Sequence, residues 1–132
     1  MIVYKETKAF KEQDLKELFT SVGWVSAHYS DRLVRAMKNS DSVFSAWEDD
    51  RLVGLINVLD DGEMTAYAHY LLIDPKYQKS GIGSELLGRV REKYKDYLYI
   101  ALNAECQGVV PFYEKNGFRV CEGVLPMMIF NP

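Results

Sequence analysis

The chain has 132 residues, 48% of them hydrophobic and 27% charged, with a formal net charge of −3. That length suits one domain built on one core rather than two. The mixed, slightly acidic charge argues against a protein that lives on nucleic-acid phosphates, which needs a basic face.

In chain order, Ile2 to Lys5 reads as a short strand, at an N-terminus without the basic-then-apolar pattern of a signal peptide. Between Lys11 and Val22, the apolar residues Leu15, Leu18, Phe19 and Val22 recur at helical spacing, and Gly23 ends the run. A second helix is predicted from Ser26 or Ser30 to Asn39, with Leu33, Val34 and Met37 facing inward. Ser42 to Glu48 and Leu52 to Leu59 read as a hairpin joined at Asp49-Asp50-Arg51. Thr65 to Ile73 is the next strand, entered from the turn Asp60-Asp61-Gly62-Glu63 and closed by Pro75. Ile82, Leu86, Leu87, Val90 and Tyr94 mark one face of a helix, and Tyr97 to Leu102 is again a strand. Strand, helix, strand at this spacing predicts a parallel βαβ unit. A short helix over Gly108 to Lys115 and strands at Phe118 to Cys121 and Met127 to Phe130 complete the chain. The expected class is α/β, one domain over residues 1–132.

No apolar stretch approaches the roughly 20 residues of a membrane helix. Cys106 and Cys121, with His28 and His69, make neither a disulfide framework nor a zinc set. No metal is expected, and a reduced, cytoplasmic setting is.

The chemistry-bearing stretch is Leu71-Leu72-Ile73-Asp74-Pro75-Lys76-Tyr77-Gln78-Lys79-Ser80-Gly81-Ile82-Gly83-Ser84. An apolar strand enters a loop, and two glycines open an amphipathic helix. First-turn N–H groups lack internal partners and point along the positive end of the helix dipole. Glycines let a phosphate approach that backbone, while Lys76, Lys79, Ser80 and Ser84 add charge and hydroxyls. A Walker A loop needs four residues between its glycines and then Lys-Ser or Lys-Thr, which is absent. The dinucleotide fingerprint needs glycine where Leu86 stands. What remains is Gln78-x-x-Gly81-x-Gly83, an anion site whose alternative reading is a tight strand-to-helix turn and nothing more.

This motif resembles the central Gln/Arg-x-x-Gly-x-Gly/Ala of the GCN5-related N-acetyltransferase (GNAT) superfamily. The match runs from Leu72 to Gly83 and resumes at Phe112-Tyr113-Glu114-Lys115-Asn116-Gly117-Phe118, which is similar to the family's Tyr-Glu-Lys-x-Gly-Phe signature. The order of elements fits over essentially the whole chain. The resemblance implies a mixed, twisted sheet of about six to seven strands flanked by about four helices. It also implies an acetyl-CoA-dependent enzyme that moves an acetyl group directly to a primary amine.

By the same resemblance, Gln78, Lys79, Ser80, Gly81, Ile82, Gly83 and Ser84 form the cofactor grip, their backbone amides holding the pyrophosphate from Lys79 onward. The strand before the motif would bend or bulge near its end, and the backbone of Leu72 and Ile73 would run beside the pantetheine arm, with an N–H there polarising the thioester carbonyl. Such a donor is typically worth about 3 kcal/mol of barrier. Tyr113 matches the family's general acid toward the coenzyme sulfur, and a phenol is protonated at pH 7, as a proton donor must be. For the base, Tyr67, His69 and Leu71 share one face of their strand by its period of two. Tyr67 stands about where some members carry a glutamate, and the His69 imidazole accepts a proton directly or through water. The alternatives are a structural histidine and ordered water as the base.

Seven residues before Tyr113, where many members carry a coenzyme-binding asparagine, stands Cys106, so that contact is not carried over. Cys106 reads as a buried or spectator thiol. The acceptor pocket is expected from the first two helices, with Trp24, His28, Tyr29 and Trp47 as candidates beside their ordinary packing roles. The acceptor is an amine of a small molecule or a peptide, with neither nucleic acid nor membrane as partner. A homodimer is common in the family, and Met127 to Phe130 is the strand available to serve it. Rival readings are a non-catalytic acyl-CoA sensor of the same fold and a nucleotide-binding α/β module.

Overall fold

The computed structural model describes residues 1–132, and their contacts divide into two units, Met1–Leu102 and Asn103–Pro132. The first unit holds a sheet in the order β1 (Ile2–Glu6), β2 (Ser42–Glu48), β3 (Arg51–Asp60), β4 (Thr65–Ile73) and β5 (Tyr99–Leu102). Strands β1 to β4 pair antiparallel in sequence order. β5 pairs parallel to β4, with helix α3 (Ile82–Lys93) between them in the chain. Asp49, at φ 54, makes the tight β2–β3 connection, a conformation that aspartate tolerates better than branched residues.

Helices α1 (Glu12–Ser21) and α2 (Ser30–Asn39) cover one face of this sheet. Leu15, Leu18 and Phe19 of α1 and Leu33 and Met37 of α2 pack with Val43, Trp47, Leu55 and Leu72. Each such side chain, fully buried, is worth about 1.5–3 kcal/mol. Gly23 ends α1 as its position suggests, at φ 72 with its N–H on the Thr20 carbonyl at 3.0 Å. Of the two starts that the sequence allows for the second helix, Ser30 is the one observed. Val25–Tyr29 is a 3-10 turn, Tyr29 leaves helical geometry at φ −121 and ψ 43, and α2 starts at Ser30.

On the other face α3 packs against β2, β3 and β4 through Ile82, Leu86, Leu87 and Val90. The approach is close at Gly54, where a Cβ would stand 2.8 Å from Ile73 Cδ1 and 3.4 Å from Ile82 Cγ2. The far end of α3 is tied by Tyr94, whose Oη lies 2.9 Å from Asp60 Oδ2 and 2.6 Å from Ser42 Oγ. Burial and then the Asp60 carboxylate push the Tyr94 phenol up to about 12, against the Ser42 hydroxyl.

The second unit contains a 3-10 turn, Gln107–Val109, that leads into α4 (Val110–Lys115), with Pro111 in the first turn where its missing N–H is not needed. Here the structure corrects the sequence reading: the sheet has five strands, not six to seven. Phe118–Cys121 and Met127–Phe130 form no ladder. Gly123, at φ 77, and a bond from Val124 N–H to the Cys121 carbonyl at 3.4 Å place a turn between them. The physical reason is that β-forming composition says a segment suits a ladder but supplies no partner strand. No helix of the chain is long and apolar enough to cross a membrane.

Candidate functional site

The glycine turn is anchored where β4 ends. The Asp74 N–H donates to the Val53 carbonyl at 2.8 Å, and its carboxylate accepts the Lys76 N–H at 3.0 Å and Arg51 Nη2 at 2.9 Å. Burial alone would raise this carboxyl, which is 4% exposed; the Lys76 N–H and the Arg51 guanidinium outweigh it and hold it below the ordinary carboxylate range. Asp74 thereby caps the 3-10 turn Pro75–Tyr77. The Gln78 side-chain amide then reaches back to the Ile73 carbonyl at 3.2 Å, bracing the strand end.

Beyond Gln78 the backbone alternates in hand. Lys79 (φ 65) and Gly81 (φ 87) are left-handed around Ser80, whose hydroxyl donates to the Tyr77 carbonyl. Alternation of this kind turns successive N–H groups inward as an anion-binding nest. Gly81 is also the N-cap of α3, its carbonyl accepting the Glu85 N–H at 3.0 Å. The first-turn N–H groups of Ile82 and Gly83 follow, with no acceptor inside the helix. A Cβ on Gly81 would meet no atom within 4 Å. The Ile82 side chain, in contrast, is core. Exposed Lys76 and Lys79 add positive charge, and Ser84 is half-buried one turn into the helix. This donor set suits a phosphate.

A second feature lies earlier on β4. Ala68 pairs with Val58 and Leu71 with Ile56, so His69 and Tyr70 both stand opposite Asn57. This is a β-bulge, and it inverts the alternation of side chains. Tyr67 (opposite Leu59) and His69 keep to the α1/α2 side, but Leu71, opposite Ile56, lies on the α3 side. The expectation that Tyr67, His69 and Leu71 share one face therefore fails at Leu71, because one extra residue shifts the period. Leu72, paired with Leu55, is buried in the α1/α2 cluster.

The bulge also brings the consecutive rings of His69 and Tyr70 into a stack, with centroids 4.0 Å apart and planes at 25°; Tyr67 lies 5.9 Å from His69. Tyr70 packs edge-on against Phe19, and its Oη lies 3.2 Å from Ser26 Oγ. His69 is exposed at its outer edge, and partial burial of the ring lowers its pKa below the ordinary imidazole value. It is neutral at pH 7. β5 pairs with β4 only from Thr65 to Ala68 and ends there at Leu102, just before the bulge. Sequence reasoning passed over Asn57, although one amide inside the apolar run Leu55-Ile56-Asn57-Val58-Leu59 was the available signal.

In the second unit, the block Tyr113 to Phe118 is a helix stop. Gly117 takes φ 96, its N–H bonds the Glu114 carbonyl at 3.1 Å, and the Phe118 N–H bonds the Tyr113 carbonyl at 3.0 Å. This is the Schellman pattern, completed by ring contact between Tyr113 and Phe118 at 5.9 Å. Burial, then the Glu105 carboxylate, raise the Tyr113 pKa, so the phenol keeps its proton. Cys106 and Cys121 are both exposed, so of the two readings of Cys106, buried or spectator, the buried one fails; the residue is the N-cap of the 3-10 turn Gln107–Val109. Of the acceptor-pocket candidates, Trp47 is core, with Nε1 on Ser45 Oγ at 2.9 Å. Trp24 is half-buried against Phe19 and Tyr70, Tyr29 carries the Arg32 guanidinium over its ring, and His28 is exposed.

Comparison with known proteins gives a consistent result. A family profile described as an acetyltransferase (GNAT) domain matches residues 6–125. An uncharacterized ycf52-like N-acetyltransferase of Prochlorococcus marinus is 30% identical over 124 residues, covering 89% of this chain and 68% of its own. A histone acetyltransferase of Glycine max is 33% identical, covering 90% of this chain and 56% of its own. Among solved structures, a GNAT-family acetyltransferase from Streptococcus pneumoniae superposes with a TM-score of 0.85 at 29% identity, over 99% of this chain and 98% of that one.

One prediction concerns the anchor. The Asp74 pKa is depressed in the folded state, so its stabilisation is present above the unfolded value and is lost as pH falls through the folded one. In urea unfolding, Asp74→Asn should be less stable than wild type at pH 7, and the gap should close under acid conditions. A gap that stays constant on acidification removes this account.

Proposed function

The chain belongs to the GNAT acetyltransferase family, and on that premise we propose that it is an acetyl-CoA-dependent N-acetyltransferase. It works as one domain over residues 1–132, in the cytoplasm, on a primary amine carried by a small molecule or a peptide. The observation that supports this most is the nest at Lys79-Ser80-Gly81 opening α3.

Acetyl-CoA, when bound, supplies the activated acyl group; the other roles fall to this chain. Gln78 braces the strand end, and the amides from Lys79 to Ser84 hold the pyrophosphate. The backbone of Leu72 and Ile73, past the point where β5 leaves β4, lies beside the arm and polarises the acyl carbonyl. Neutral His69, with Tyr67 beside it, takes the proton from the acceptor amine. Tyr113 Oη, held protonated by burial, returns a proton to the leaving sulfur. The run Met127–Phe130 belongs to a homodimer: Val120, Val124, Leu125, Met127, Met128, Ile129 and Phe130 are all more than half exposed. They leave on the order of 1,000 Å² per copy in water, and two copies would cover twice that, the scale of a stable interface.

Acetyl-CoA at a hundredfold its Kd should stabilise the fold by about 2.7 kcal/mol, read as a rise in Tm. Gly81→Val, which forces a branched residue toward positive φ and so distorts the turn, should abolish that rise. An unchanged rise ends the phosphate-cradle reading. Tyr113→Phe should lower kcat by about a hundredfold or more with acetyl-CoA Kd nearly kept, followed as free thiol release. Wild-type turnover in that variant removes the acid role. In sedimentation at micromolar concentration a two-chain species is expected, lost in the Met127→Asp, Ile129→Asp double variant; a one-chain mass for the wild type refutes the dimer.

A further inference from the structure

We infer that Asn57 is a positioning residue for the acyl-transfer cleft: its side-chain amide sets the bulge that aims His69 and parts β4 from β5. The inference rests on the proposed acetyl-CoA site for its meaning, but not for its geometry.

Asn57 sits in the middle of the central strand β3 and is 2% exposed. A buried amide there costs stability unless its groups are bonded, and valine or isoleucine would suit the surrounding core better. Its bonds show what it is for. Asn57 Oδ1 accepts the Tyr70 N–H at 2.9 Å, and Nδ2 donates to Ser40 Oγ at 3.1 Å. The Ser40 hydroxyl donates in turn to the Ala36 carbonyl at 2.8 Å. Ser40, 1% exposed, is the C-cap of α2, so the chain of bonds runs from the end of that helix through β3 into β4. Where two residues face one, an N–H loses its ladder acceptor. At Tyr70 the Asn57 side chain takes the place of the missing carbonyl.

Three consequences meet at this point. His69 and Tyr70 turn their rings to one side and stack. Tyr70 carries its hydroxyl to Ser26 in the turn before α2. The β4–β5 ladder stops at Ala68 paired with Leu102, one residue before the bulge, so the strand that leads to Leu72 and Ile73 runs on without β5 beside it. An apolar side chain at position 57 would leave the Tyr70 N–H buried without an acceptor, and the register would be driven toward a regular ladder. That would close the parting of the strands and turn His69 away.

The test compares Asn57→Val, Asn57→Asp and Ser40→Ala in the full chain. Amide hydrogen exchange at Tyr70 reports the bulge, and the KM values for acetyl-CoA and for the amine, measured separately with kcat, report the cleft. Asn57→Val should speed Tyr70 exchange and raise KM for acetyl-CoA about tenfold or more, with a fall in kcat. Asn57→Asp keeps the acceptor and should restore Tyr70 protection and most of the acetyl-CoA affinity. A general loss of packing would not be rescued in this way. Should Asn57→Val not fold, Ser40→Ala decides: a severalfold rise in acetyl-CoA KM with faster Tyr70 exchange supports the role, and wild-type values of both overturn it. Wild-type binding and Tyr70 protection in a folded Asn57→Val also overturn it. If the wild type itself binds no acetyl-CoA, the proposed function fails, while Tyr70 exchange still decides the part played by Asn57.

Discussion

A peptide N–H inside a sheet has to find an acceptor, and for Tyr70 that acceptor is a side chain. Asn57 Oδ1 holds it at 2.9 Å, and the layout of both sheet faces follows. Before the bulge, Ala66 and Ala68 stand with Val58 on the side of α3. After it, Leu72 stands with Leu55 in the cluster under α1 and α2. One extra residue thus exchanges the two faces within a few positions, and β5 leaves β4 at the same place. The aromatic group of Phe19, Trp24 and Tyr70 fills the side that the turn exposes.

The glycine turn depends on being held at both ends and left open in the middle. At its start, a buried carboxylate with N–H and guanidinium partners locks the exit from β4. An ion pair with a half-exposed arginine is worth little alone; the burial of Asp74 and its backbone bonds matter more. At its end, the fully packed Ile82, Leu86 and Leu87 clamp the first turns of α3 to the sheet. Between these points the backbone is fixed in its left-handed turns at Lys79 and Gly81.

In the second unit the same economy of local rules appears in a helix of six residues. Gly117 is needed because the chain turns through a left-handed conformation there. Phe118 is apolar because the Schellman stop brings it onto Tyr113. Asn116 sends its side chain back to the Phe112 carbonyl at 2.9 Å, binding another group of the last turn. The spacing from tyrosine to glycine to phenylalanine is therefore the geometry of a helix end.

Local rules explain what was legible in the sequence. Helical spacing identified α1 and α3 with their inward residues, and glycines marked the end of one and the start of the other. The family was legible as well, because its two motifs are short-range structures: a nest before a helix and a Schellman stop after one. A bend or bulge near the end of β4 was implied by the resemblance, but its position was not legible, since the bond found there joins residues thirteen positions apart and no local pattern distinguishes a strand with one extra residue. Nor was the fate of the last two apolar runs, for a strand exists only when another strand lies beside it. The sequence by itself determined where the main helices lie, where two glycines open α3 and which family the chain joins, because each depends on neighbours within about one helical turn. Only the tertiary structure decided which way Leu71 and Leu72 face, which rings accompany His69 and how many strands the sheet has, because those depend on what each backbone group meets across the sheet.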